Sequence, residues 1–180
     1  MAYFQSIPND RISAQDIEAL YKVTTTLYVR DQSISLFHGN ESSLSSSGYT
    51  SAVLLKGKES IDCSKETPAR LALARIQEQI RVSLYSKEGR GGNMPTIALI
   101  AALNDKLCQW ADANSKILSE DITSARGLHI TYCSTRIMLL RLSATPDHRI
   151  QALQESRVCF QLLAKPTTRL RPCVKSIPLL

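Results

Sequence analysis

The feature that most constrains the fold is a strict three-four alternation of side chains between Ile100 and Ile117. Ile100, Leu103, Leu107, Trp110, Asn114 and Ile117 keep that spacing without a break. On a helix of 3.6 residues per turn these positions form one narrow stripe, and such a seam packs against another helix. Asn114 closes it as an end-of-helix polar group. Trp110, the single tryptophan, sits in phase with Leu103 and Leu107. It is expected to be buried, with its indole N–H on a backbone or side-chain acceptor.

The same period runs through the rest of the chain. A first helix opens at Ser13, with Asp16 three residues on in a capping-box pattern, and stops at Gly39. Within it Leu20, Val23, Leu27, Ile34 and Phe37 recur at steps of three and four, and Arg30 fills the one missing place. A second helix has Thr67 as cap, Pro68 at its first position, and a stripe of Ala69, Leu73, Ile76, Ile80 and Leu84. The turn Ser86–Pro95, "SKEGRGGNMP", breaks it, and the helix that bears the strict seam starts near Thr96. A fourth helix runs from about Asp121 to Ser143. Leu128, Tyr132, Thr135, Leu139 and Leu142 share one face, broadened by Ile130, Ile137 and Met138, which suits the middle of a bundle. Pro146 opens a fifth helix, expected to bury Ile150, Leu153, Phe160 and Leu163, and Pro166 ends it.

No strand shows convincing alternation, so the expected fold is all-α: an irregular bundle of about five main helices. One domain is expected over 1–180, with a helical core at 13–39 and 67–165, a long Ser-rich loop at 40–66 and a basic tail at 166–180. The apolar piece "YTSAVLLK" is the only anchor in that loop.

Charge and cysteine usage narrow the chemistry. The net charge of +6 gathers late in the chain, where Arg149, Arg157, Lys165, Arg169, Arg171 and Lys175 face only Asp147 and Glu155. No aromatic residue interleaves the last basic stretch, 166–180, so the stacking of a single-strand nucleic-acid binder is missing there. Cys63, Cys108, Cys133, Cys159 and Cys173 lie at least 14 residues apart, which leaves no local zinc or redox pair. They read as buried small residues or free thiols. No run suits a membrane span, and the N-terminus lacks a secretory pattern, so an intracellular protein is expected.

Residue-level support for catalysis is absent. "EGRGGN" is Gly-rich, but no strand precedes it and no G-K-[ST] follows. No G-x-S-x-G elbow occurs. His38, His129 and His148 lack the spacing of helical metal ligands, and His129 reads as a satisfied core histidine. No cofactor, metal or catalytic residue is expected.

Four segments carry a resemblance. "LYVRDQSISLFHGN" (27–40) resembles the signature helix of the fungal-specific transcription factor domain, the middle homology region of binuclear zinc-cluster regulators, with Tyr28, Asp31, Ser33, Ser35 and Gly39 in matching places. "LARIQEQIRVSLYS" (73–86) is similar to that family's helix ending in Leu-Tyr-Ser. "LNDKLCQWADANSKIL" (103–118) is similar to its leucine-rich helix with a Trp before a polar turn. "LHITYCSTRIMLLRL" (128–142) is similar to its Leu-His-x-x-Tyr helix. The four keep the family's order across roughly Asp16 to Leu163. The chain departs from the pattern at Gly39-Asn40-Glu41, where the family has Gly-Arg-Pro, and in lacking the first helix's tryptophan and the six-cysteine zinc cluster.

The resemblance implies a nuclear regulatory domain that acts on RNA polymerase II transcription through transcription-regulatory proteins or a small effector. It implies no DNA-reading module and no specific DNA binding by this chain alone. The other reading is a stand-alone helical ligand-binding or enzyme-accessory protein. Oligomeric state is left open. The resemblance also gives Arg30 and Asp31 a framework role beside Trp110, Tyr132, Arg136 and Arg141. Asp31 is expected to meet Arg136 or Arg141 from the fourth helix, and Arg30 to run its stem along the core with its head in water.

Overall fold

The computed structural model describes residues 13–44, 66–85 and 97–165. The Ser-rich stretch 45–65 with "YTSAVLLK", the Gly-rich turn 86–95, the helix start at Thr96, Pro166, the basic tail, Cys63 and Cys173 lie outside them. Among the described residues the protein is all-α, with no strand. The helices are α1 (Ala14–His38), α2 (Glu66–Leu84), α3 (Ile97–Ala113), the single turn α4 (Ser115–Leu118), α5 (Thr123–Leu140) and α6 (Pro146–Ala164).

Local signals place several ends where the sequence puts them. The Ser13 hydroxyl accepts from the Asp16 N–H at 3.1 Å, and the Ser13 N–H donates to the Asp16 carboxylate at 3.1 Å, which closes the capping box. Gly39 takes φ +70° as the residue after α1, and the next amide, Asn40, bonds back to Ser35 at 3.0 Å. That left-handed geometry strains any residue with a Cβ. Asn114 ends α3 as expected, its side-chain amide donating to the Trp110 carbonyl at 2.7 Å. α2 begins one residue before Thr67. α5 is shorter than its apolar pattern, because Ile122 is extended and Leu142 and Ser143 close back on Leu139 and Leu140 at 3.2 and 3.0 Å.

α5 sits in the middle, touching all five other helices, with α6 laid back on it as the most extensive pairing. α1 pairs chiefly with α2. The main core joins Ala69, Leu73, Ile80 and Leu84 of α2 to Ile100, Leu103, Leu107 and Trp110 of α3 and to Leu128, Tyr132, Cys133 and Leu139 of α5. Each fully buried Leu or Ile among these contributes about 1.5–3 kcal/mol of transfer free energy. From α1 only Leu36 joins this core. Tyr21 and Tyr28 form a smaller cluster with Leu71 and Ala74.

Two expectations are corrected. The apolar series of α1 does not face the core: Leu20, Val23, Leu27, Ile34 and Phe37 are all exposed. The buried series is Tyr21, Thr25, Tyr28, Gln32 and Ser35, which also steps by four and three but lies about half a turn round the helix. Periodicity finds a stripe without saying which stripe is inward. Of this series Tyr28 finds a polar partner on α2, donating to Glu78, and Gln32 donates to Ser42. The Thr25 hydroxyl and the Gln32 side-chain carbonyl are buried without a partner among the described residues. The second correction concerns α6, where Ile150, Leu153, Phe160 and Leu163 are exposed and no residue is fully buried. α6 rests on α5 through half-buried Val158, Cys159 and Leu162 instead.

Candidate functional site

Of the charged residues singled out from the sequence, Asp31 and Arg136 each anchor a polar unit, while Arg30 and Arg141 are exposed and belong to neither. The first is built on Asp31. This half-buried carboxylate accepts from the Ser42 hydroxyl and from the N–H groups of Ser43 and Leu44, both at 3.3 Å. Gln32 adds a bond to the Ser42 hydroxyl at 2.8 Å. Asp31 therefore holds the chain leaving α1. It pairs with neither Arg136 nor Arg141, which corrects the expected tie. Arg141 is exposed at the end of α5.

The second unit is built on Arg136, whose guanidinium joins three helices. It donates to Asn104 of α3 at 2.9 Å, to Gln151 of α6 at 3.3 Å, and to the Glu155 carboxylate of α6 as an ion pair. A mostly buried charge tie between helices thus exists, but Glu155 supplies its acid. Hairpin geometry accounts for this. The short connection after α5 folds α6 back antiparallel, which brings residue 136 opposite the 151–155 turn. Charge arithmetic across that connection would have found the pair.

Between the units runs a polar relay that the sequence reading missed. Ser33 of α1 donates to Gln77 of α2 at 2.9 Å, and Gln77 donates to Thr135 of α5 at 2.8 Å. Thr135 donates in turn to the Thr131 carbonyl at 2.8 Å. Gln77 and Thr135 are buried, so these bonds offset desolvation that would otherwise cost about 1–3 kcal/mol per group. Gln77 stands four residues before Arg81 and four after Leu73, on the inward face of α2, and that phase is its only sequence signal. Nearby, Tyr28 donates to Glu78 at 2.6 Å. Burial first, and that bond second, push its phenol above the ordinary range.

A cleft of about 370 Å³ opens over the relay. Val29, Arg30, Ser33 and Ile34 of α1 form one wall, and Arg70, Leu73 and Gln77 of α2 with Leu128 and Thr131 of α5 form the others. Arg70 is engaged, donating to the Ser124 carbonyl at 2.6 Å and pairing with Glu66. Arg30 is exposed and has no hydrogen-bond or ion-pair partner among the described residues.

Trp110 is 6% exposed and donates its indole N–H to the Ala69 carbonyl at 3.0 Å, with its ring stacked on Tyr132 at 5.6 Å between centroids. Burial pushes Tyr132 up to about 12. Burial and the neighbouring Glu155 raise the Cys133 thiol too, which disfavours a thiolate. His129 is half-buried and its pKa is lowered, by burial above all. Cys108, Cys133 and Cys159 are free, and no cluster of three His, Cys, Asp or Glu suits a metal among the described residues. No described helix is long and apolar enough to cross a membrane.

No family model, curated protein or solved structure matches the chain.

Proposed function

We propose that the chain is a regulatory helical domain of the fungal zinc-cluster transcription regulator type. It controls RNA polymerase II transcription in the nucleus through contacts with regulatory proteins or a small effector, without a DNA reader of its own and without catalysis. The observation that carries this reading is the agreement between motif order and packing. The four family-like segments lie on α1, α2, α3 with α4, and α5, which pack together as one bundle. Trp110 and Tyr132, two of the residues that carry the resemblance, stack on one another at its centre. Asp31 and Arg136 each tie chain segments together, as framework residues do.

The test fuses the chain to a heterologous DNA-binding module beside a reporter gene in fungal cells. Reporter output is expected to change by several-fold relative to the module alone. An inert fusion that is expressed, nuclear and folded overturns the reading. The unfused chain is expected to give no sequence-selective gel shift, because the six-cysteine cluster that reads DNA in the regulators it resembles has no counterpart in this sequence. Any residual binding is expected to fall steeply with salt.

A further inference from the structure

We infer that the outer face of α1 is a docking seam for an amphipathic helix of a partner protein, and that this helix carries a carboxylate opposite Arg30. The inference rests on the regulatory reading only for the biological role of that partner.

The first support is the pattern. Leu20, Val23, Leu27, Arg30, Ile34 and Phe37 step by three and four over the whole length of the seam. All lie on the surface, with Leu27 and Ile34 both 55% exposed. A strict two-in-seven stripe is the geometry of a helix-helix seam, narrower than the face a helix turns to a globular core. The stripe spans roughly 25 Å of helix, enough for a partner of four to five turns.

Charge chooses the partner. Arg30 is the single charged group on the seam, and no described residue pairs with it. It stands with Ile34 at the lip of the cleft. A side chain entering there from a docked helix meets apolar Val29, Leu73 and Leu128, the relay groups Ser33, Gln77 and Thr131, and two guanidinium groups, of which Arg70 is already engaged by Ser124 and Glu66. A carboxylate satisfies that cation, and Arg accepts it bidentately. A second copy of the chain does not supply one from either of its exposed apolar seams. In a parallel arrangement Arg30 meets Arg30. In an antiparallel one, centred between Leu27 and Arg30, it meets Leu27, and the adjacent Asp31 is already bonded to Ser42, Ser43 and Leu44. The other exposed seam, Ile150, Leu153 and Phe160 of α6, carries Arg157 at the corresponding place and would set cation against cation. An anionic lipid surface fits poorly, because the flanks of α1 hold Asp16, Glu18 and Asp31 against Lys22 alone.

The experiment uses two synthetic helical peptides of three heptads, with leucine at the seam positions and either glutamate or lysine at the central one. Binding to the full chain is read by fluorescence anisotropy. The glutamate peptide is expected to bind at least about tenfold more tightly than the lysine peptide, the scale of one close charge pair. Arg30→Glu is expected to reverse that order, and Leu27→Asp to abolish both complexes while the circular dichroism of the chain is unchanged. Equal binding of the two peptides, or a preference that survives Arg30→Glu, overturns the proposal. So does a chain that is dimeric until Leu27→Asp makes it monomeric, since a second copy then covers the seam. A chain that changes reporter output when tethered yet shows no charge preference loses this proposal and keeps the regulatory reading.

Discussion

Asp31 accepts from one hydroxyl and two amides of the segment that follows α1, and this gives it a stability role measurable in isolation. Asp31→Ala is expected to cost about 1–2 kcal/mol, because hydrogen bonds to a charged group are lost at a half-exposed site. Ser42→Ala should be non-additive with it in a denaturant double-mutant cycle. Arg136→Ala should be additive with it within about 0.5 kcal/mol, since the two share no partner. Trp110 belongs to the same scale. Its emission is expected to be blue-shifted and protected from iodide, and Trp110→Ala should cost about 3–5 kcal/mol by equilibrium unfolding. The burial of Trp110 was legible from phase alone, whereas the choice of a backbone acceptor, the Ala69 carbonyl, was not. Neither was the partner of Asp31, because a carboxylate on a helix is equally compatible with a facing arginine and with the amides just beyond the helix end. The resemblance favoured the arginine. The bonds to Ser42, Ser43 and Leu44 decide for the amides.

At the scale of elements, the caps at Ser13 and Gly39, the stripes of α2 and α3 and the central place of α5 were readable, since each rests on local chemistry or on an apolar series that the core receives. The orientation of α1 was not. Its apolar and polar series have the same spacing, and what turns the polar one inward lies on α2, where Leu71 and Ala74 receive the Tyr21 and Tyr28 rings and Glu78 accepts from Tyr28. α6 shows the same ambiguity, since Arg136 draws its Glu155 face onto α5 and leaves Phe160 outside. That pair makes a prediction: Arg136→Ala leaves Glu155 mostly buried without its cation and should cost about 3 kcal/mol or more. Combining Arg136→Met with Glu155→Leu should recover most of the loss, as measured by thermal or urea unfolding. His129 links the elements to pH. Burial lowers its folded-state pKa below the ordinary 6.5, against the opposing effects of Glu155 and a hydrogen bond to the Leu118 backbone. The unfolded chain therefore binds the proton first as pH falls, and stability is complete above about 7 and lost below 6.5 toward the folded-state value. Urea midpoints at pH 7.5 and 5.5 should show this loss, and His129→Gln should reduce it.

For the whole molecule, the account stands on one inversion: α1 keeps a polar face in the bundle and presents an apolar seam to the outside. A module that works by contact needs such a surface, whereas a seam buried in the core leaves the regulatory reading without its means. The direct measurement is urea unfolding of the Leu27→Asp, Ile34→Asp double variant. With both side chains outside, the unfolding free energy should stay within about 0.5 kcal/mol per substitution of the parent, as for ordinary surface changes. A loss above about 4 kcal/mol, the scale of burying unpaired charges in a core, would place the seam inside the fold and contradict the account.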